Sequence, residues 1–241
     1  MKFEILKMRD KTDSFYTKKN DLFDLPFRLA VVGKSFLSGK TTLIMNLLLR
    51  EKYYKNDFLG ENIYIISNNK ADNKIKILME EKDVPDVNHM SYDESHLMCL
   101  YEYLEEQFIQ TVEDDEKPPN ILIYIDDVGY SSAIKNNSGF MNLLACNSRH
   151  LNISVVVAIQ KYTTQLSTTY RNNLSGLIVF NTSTKEALSI AEDHNYNHET
   201  KNWMKAFREN TKEKNSFFVV NYSNEIDKRY MDKNFKPIKI E

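Results

Sequence analysis

The sequence predicts an α/β fold with a mainly parallel, doubly wound sheet, and its apolar runs, the helical patterns between them and the absence of linkers all point to it. Short runs of Ile, Val, Leu and Phe recur at residues 28–32, 62–67, 120–125, 153–159, 176–180 and 216–222. They lack polar alternation, as strands covered on both faces do. Amphipathic stretches separate them. Leu97, Leu100, Tyr101, Leu104 and Phe108 recur at helical spacing, and Ser183 with Glu186 stands at capping-box spacing ahead of Ala187, Leu188 and Ile190. No Gly/Pro/Ser-rich linker and no internal repeat breaks the alternation, so one α/β domain is expected over residues 27–225. It follows a polar lead-in at 1–26, ending in Asp24-Leu25-Pro26 with room for one short strand, and precedes a C-terminal tail at 226–241. In such a sheet, ligands bind at the carboxyl ends of the strands.

Composition bounds the rest. At 241 residues the chain can bury a core without disulfide staples. The longest apolar stretch, around Val155 to Ile159, is far shorter than a membrane span of roughly 20 residues, and no secretory signal is expected from the start Met1-Lys2-Phe3-Glu4. Cys99 and Cys146 alone suit a reducing compartment and exclude a cysteine-built metal site. The net charge of -2 leaves no general attraction for nucleic acid, so any binding to it requires a local patch or an assembled ring.

The strongest motif follows the first apolar run: Val31-Val32-Gly33-Lys34-Ser35-Phe36-Leu37-Ser38-Gly39-Lys40-Thr41-Thr42, leading into the apolar helical stretch at 43–49. Strand, loop and helix give the context of a Walker A phosphate-binding loop. Backbone N–H groups from Gly33, Lys34, Ser35 and Ser38 to Thr42 are expected to wrap the phosphates of ATP. Lys40 reaches the terminal phosphates and the Thr41 hydroxyl completes a Mg²⁺ shell. The loop is one residue longer than usual: Lys34 stands where the first glycine is normally found and Gly33 lies one residue further away.

Ile121-Leu122-Ile123-Tyr124-Ile125 then Asp126-Asp127 has the form of a Walker B strand. Asp126 takes the Mg²⁺ role, and Asp127 the polarising of the attacking water. The next apolar run ends in Gln160, whose amide can sense the terminal phosphate or orient water. Asn69-Lys70-Ala71-Asp72 and Asp126-Asp127-Val128-Gly129 imitate the NKxD and DxxG motifs of a GTPase switch, the alternative function, but their order along the chain is reversed. A nucleotide kinase lacks its Arg-rich lid here. His194 and His198 stand four apart, but Asn195 stands where a glutamate would supply a metalloprotease base, so no zinc site is expected.

Pro26-Phe27-Arg28 ahead of the loop, Leu122-Ile123-Tyr124-Ile125-Asp126-Asp127-Val128-Gly129, Ser148-Arg149-His150-Leu151-Asn152-Ile153-Ser154 and Gln160 together resemble the poxvirus-type genome-packaging ATPases of the FtsK/HerA superfamily, over about residues 26–193. The resemblance implies a RecA/FtsK-like P-loop NTPase. It implies a homo-oligomeric ring, pentamer or hexamer, that hydrolyses ATP to drive double-stranded DNA into a capsid, working beside a capsid or portal-vertex protein and away from membranes. Its expected place is the viral factory in the host cytoplasm, and the virion. Ring ATPases often complete their site with a neighbour's arginine; Arg149 is the first candidate and Arg171 the second. Loops at 130–137, with Lys135, and at 161–171 are the expected DNA-facing segments.

Overall fold

The structure, a computed structural model, describes residues 15–20, 22–35, 38–126, 128 and 139–240. Strands are β1 (Arg28–Val32), β2 (Ile63–Ser67), β3 (His89–Met90), β4 (Ile121–Asp126), β5 (Ile153–Ile159), β6 (Gly176–Phe180), β7 (Phe217–Asn221) and β8 (Tyr230–Met231). Helices are α1 (Lys40–Leu49), α2 (Asn73–Lys82), α3 (Glu94–Glu113), α4 (Gly139–Asn147), α5 (Tyr162–Gln165), α6 (Thr168–Asn172), α7 (Thr184–His194) and α8 (Thr200–Asn210). The strands form one sheet in the order β3-β2-β4-β5-β1-β6-β7-β8. β3 through β6 in that order are parallel, so their carboxyl ends share one edge.

Alternation along each strand divides the core into two layers. Leu29, Val31, Leu122, Tyr124, Val156 and Ile178 face Ile44 and Leu47 of α1 and Ile75 and Leu78 of α2. Ala30, Val32, Ile123, Ile125, Val155 and Val157 face the other side, with Leu97 of α3, Leu144 of α4, Ile190 of α7 and Trp203 of α8. The expected helical stripe is in place: Leu97, Tyr101 and Leu104 are buried on α3, with Leu100 and Phe108 at its margin. Asp93 starts that helix by accepting the His96 N–H (3.0 Å), and Ser183 starts α7 by accepting the Glu186 N–H (3.3 Å). No helix among the described residues is long and apolar enough to cross a membrane.

Three features depart from the sequence expectation. β7, grouped with the parallel strands by its apolar run, is antiparallel to β6. The reason is the paired helices α7 and α8 between them, which return the chain to the edge where β6 ended, so β7 must run back. The segment from 226 onward is not a free tail: Tyr230 and Met231 pair with β7, and Phe235 is buried against Phe23 and Phe217. The lead-in is likewise built into the core. Thr17 and Leu25 bridge each other, Leu22 and Phe23 are buried, and Asn221 Nδ2 donates to the Leu22 carbonyl (2.9 Å).

The Phe23 ring lies against Gly176, where a Cβ would come within 2.3 Å of it. Phe23→Ala is expected to cost about 3–5 kcal/mol of stability, the usual price of emptying a fully buried phenylalanine site. Urea unfolding measures it; an unchanged midpoint would mean that the lead-in lies on the domain without supporting it.

Candidate functional site

β1 delivers the chain to the carboxyl edge, where the Gly33 N–H donates to the Ile159 carbonyl (3.0 Å) and ties the start of the loop to β5. A Cβ on Gly33 would stand 3.0 Å from the Cβ atoms of Phe180 and Ser38, so glycine here permits the loop to close on itself and on β6. Gly39 adopts φ 89°, a left-handed conformation, as the residue that starts α1. Lys40 follows as the first helical residue. Its Nζ lies back across the loop and donates to the carbonyls of Gly33 (2.7 Å) and Lys34 (3.1 Å). The longer loop therefore still closes around its lysine. A helix N-terminus and an ammonium converge there, an anion cradle by construction. Phe36 and Leu37 lie outside the described residues.

On one side of β1 stand the polar strand ends. β5 lies between β1 and β4, and Asp126 closes β4 opposite Ser67 and Ala158. Gln160 follows β5 at the same edge; its N–H donates to Gln165 Oε1 (2.7 Å), turning the chain into α5. Asp127 lies outside the described residues, as does the segment 129–138 with Lys135. Tyr124, two residues before Asp126 and on the α1 face, adds a group that sequence reasoning had taken for core. Its hydroxyl is fully buried and faces the side chains of Asp126 and Thr41. Burial, and then the Asp126 carboxylate, push its pKa well up and keep it a neutral donor. A buried hydroxyl between a threonine and a carboxylate suits a hydrated divalent cation, whose water it can meet. The i, i+2 spacing from Asp126 was the available signal.

A cleft of about 530 Å³ runs over the start of α1, bounded by Ser35, Ser38, Lys74, Phe180, Lys214 and Asn215. Lys74 Nζ donates to Thr42 Oγ1 (2.8 Å). Lys74 and Lys214 join Lys40 around it, so the cleft is cationic although the chain is not. The NKxD imitation has a local purpose: Asn69 Oδ1 accepts the Ala71 N–H (3.2 Å), and Asp72 caps α2 by accepting the Lys74 N–H (2.8 Å). Those side chains shape a turn.

Both candidate arginines lie towards the opposite end of the sheet. Arg149 is exposed in the 3₁₀ turn Ser148–Leu151, just before β5, where it donates to His150 Nε2 (3.2 Å) and repels Arg28 at the start of β1. A strand of β5's length separates it from its own phosphate loop, about 20 Å at ~3.3 Å per residue. Arg171 is pinned. Nη1 donates to Asp193 Oδ2 (2.5 Å), Nη2 to Thr168 Oγ1 (3.2 Å), and the guanidinium covers the Tyr162 ring. The segment 161–171, expected as a loop, forms α5 and α6 with Tyr162 and Tyr170 buried, because Ser167 caps the second helix and the aromatic rings fill the core.

Asp193 also accepts the Tyr162 hydroxyl (2.8 Å), which leaves that oxygen to accept from His194 Nε2 (2.7 Å). His194 Nδ1 then accepts from the Tyr222 hydroxyl (2.6 Å). Both ring nitrogens are committed to the neutral form, and no metal cluster of His, Cys, Asp or Glu occurs among the described residues. Burial lowers the His194 pKa from 6.5 to about 4, so the unfolded chain binds a proton that the folded one refuses. Stability is expected to be unaffected above about pH 6.5 and to decline from there towards about pH 4, with a loss of about 2 kcal/mol by about pH 5. Denaturant titrations in parallel with His194→Gln check this: the variant should lose that part of the pH dependence, and an equally steep decline in both would refute it.

The family model described as Poxvirus A32 protein matches residues 14–231. Among curated proteins no sequence matches. Among solved structures, the genome packaging NTPase B204 from Sulfolobus turreted icosahedral virus 2, in complex with AMPPCP, aligns with TM-score 0.57 at 14% identity, over 91% of this chain and 100% of that one. B204 from Sulfolobus turreted icosahedral virus, a DNA-packaging ATPase, gives TM-score 0.57 at 12% identity, over 89% and 99%. The pCW3 conjugation coupling protein TcpA, a monomer form with ATPγS, gives 0.54 at 15%, over 83% and 58%. At these identities the likeness is one of fold, and the fold is that of the P-loop ATPases. With its glycine-started α1, its buried lysine and Asp126 on the neighbouring strand end, and with the family model matched across residues 14–231, the chain belongs to the Poxvirus A32 protein family.

Proposed function

We propose that this P-loop ATPase couples ATP hydrolysis to movement of double-stranded DNA into a viral capsid, as one subunit of a homo-oligomeric ring of five or six. The observation that carries it is Lys40, held inside the loop by the Gly33 and Lys34 carbonyls with Asp126 and Gln160 on the two adjacent strand ends. An incoming triphosphate offers Lys40 better acceptors than those carbonyls, and the lysine turns to its terminal phosphates. Thr41 and Asp126 would hold Mg²⁺, which would supply charge neutralisation on the phosphate oxygens, and the Tyr124 hydroxyl would help to orient the Asp126 and Thr41 side chains for it. Asp127 takes the proton of the attacking water, and the Gln160 amide fixes the water's position. The packaging role is supported by family membership and by the likeness in fold to B204, a genome packaging NTPase. A capsid or portal-vertex protein is the docking partner, and the viral factory in the host cytoplasm and the virion are the sites of action.

Arg149 serves a neighbour's site. Exposed and about a strand's length from its own loop, it works only across a head-to-tail contact, which closes into a ring when the rotation permits. Arg171, engaged by Asp193, Thr168 and Tyr162, anchors α6 to α7 instead.

Lys40→Ala is expected to abolish Mg²⁺-dependent ATP hydrolysis while leaving the fold intact; undiminished turnover in a folded variant would overturn the ATPase assignment. In the parent, added double-stranded DNA should stimulate turnover, and a GTP preference without a DNA effect would favour a switch.

Arg149→Ala should bind ATP normally yet fail to hydrolyse it, because the missing charge acts only in the transition state and only across an interface. Mixing it with Lys40→Ala subunits, which keep Arg149, should restore part of the activity. Full activity of Arg149→Ala alone would discard this residue.

A further inference from the structure

The strand order sets a direction along the cleft. Asp126 and Gln160 stand beyond β1 on the β5–β4 side, so the terminal phosphate points there. The rest of a nucleotide lying over the start of α1 must leave on the other side, where β6 ends and β7 begins. The cleft continues to that place. Phe180, the last residue of β6, and Phe217, the first of β7, form its floor with ring centroids 5.3 Å apart. Lys214 and Asn215, from the turn before β7, stand exposed above them.

Asn215 is the distinctive group. It adopts φ 62°, a left-handed conformation that asparagine tolerates better than most residues. Its Oδ1 is aimed at the phosphate loop, 3.6 Å from where a Cβ on Gly39 would lie. Its neighbours on the turn are engaged: Glu213 pairs with Lys233, and Ser216 Oγ donates to the Glu213 carbonyl (2.7 Å). The Asn215 amide itself has no hydrogen-bond partner among the described residues, and it is adjustable at the mouth of a cationic cleft.

We infer that the nucleoside half of the nucleotide occupies the β6–β7 end of this cleft and that the Asn215 amide reads its base as adenine, a placement that rests on the ATPase reading above. An amide offers a donor beside an acceptor. Adenine presents the complementary pair at N6–H and N7, whereas guanine presents two acceptors on the same edge, O6 and N7, and leaves half of the amide unpaired. Asn215 is thus a specificity-determining residue. The phosphates remain the business of Lys40 and the loop.

The test is displacement of a fluorescent ATP analogue from the full chain by non-hydrolysable ATP and GTP analogues and by tripolyphosphate. The parent should favour the ATP over the GTP analogue by roughly ten-fold, the discrimination typical of one bidentate pair. Asn215→Gly accepts the left-handed backbone and removes the amide; it should bring the two analogues to near parity while tripolyphosphate competes as before. Asn215→Asp replaces the donor by a second acceptor and should weaken the ATP analogue, which loses its bond at N7. An unchanged base preference in Asn215→Gly overturns the proposal. So does transfer of that preference to Met45 and Ile77 variants, which line a groove of about 290 Å³ between α1 and α2. A parent protein that binds neither analogue nor tripolyphosphate would defeat the ATPase reading instead, and the two failures are therefore distinct.

Discussion

The position of β1 in the middle of the sheet is the constraint on which the rest of the structure depends. Every peptide group of a buried strand must find a partner, and β1 meets this requirement with β5 on one side and β6 on the other. The chain can then leave only at the carboxyl edge. The loop that follows is held to β5 by Gly33 and ends in a helix whose first N–H groups have no intrahelical acceptor. The phosphate cradle is thus a consequence of burying Leu29 to Val32 between two neighbours. The polarity of the site follows as well, with acid and amide towards β4 and β5 and aromatic floor towards β6 and β7.

A division of labour runs along the strands. The carboxyl edge carries the lysines around one cleft and Asp126 at the end of β4, while the amino end carries Arg149 in an exposed turn. On the proposed reading, the exposed cation at one edge serves the chemistry at the other edge of a neighbouring subunit. Between them, Asp193 collects Arg171 and Tyr162, and His194 links Tyr162 to Tyr222. That network ties the segment after Gln160 to α7, and it does so with a neutral, buried ring at its centre.

Much of the fold was legible because local chemistry and global burial agree. The runs at 28–32, 153–159 and 176–180 became strands with those bounds, and Ser183 capped α7 as its spacing with Glu186 implied. The illegible parts share a cause. Phe23, Tyr230 and Phe235 sit in polar stretches without periodicity, and only their docking on Gly176 and β7 shows them to be core. Tyr124 looked like one more apolar strand residue, since its exceptional feature is what its hydroxyl faces.

What the sequence determined by itself is the strand–loop–helix around Lys40, the acidic end of β4 and the order in which they occur, because short-range spacing encodes each of these. Only the tertiary structure decided that β7 runs antiparallel, that Lys74 and Asn215 reach the loop from distant segments, and that Arg149 lies about a strand's length from its own site. Those are relations between elements far apart in the chain. They follow from which strand is buried beside which, a matter of packing that no local pattern records.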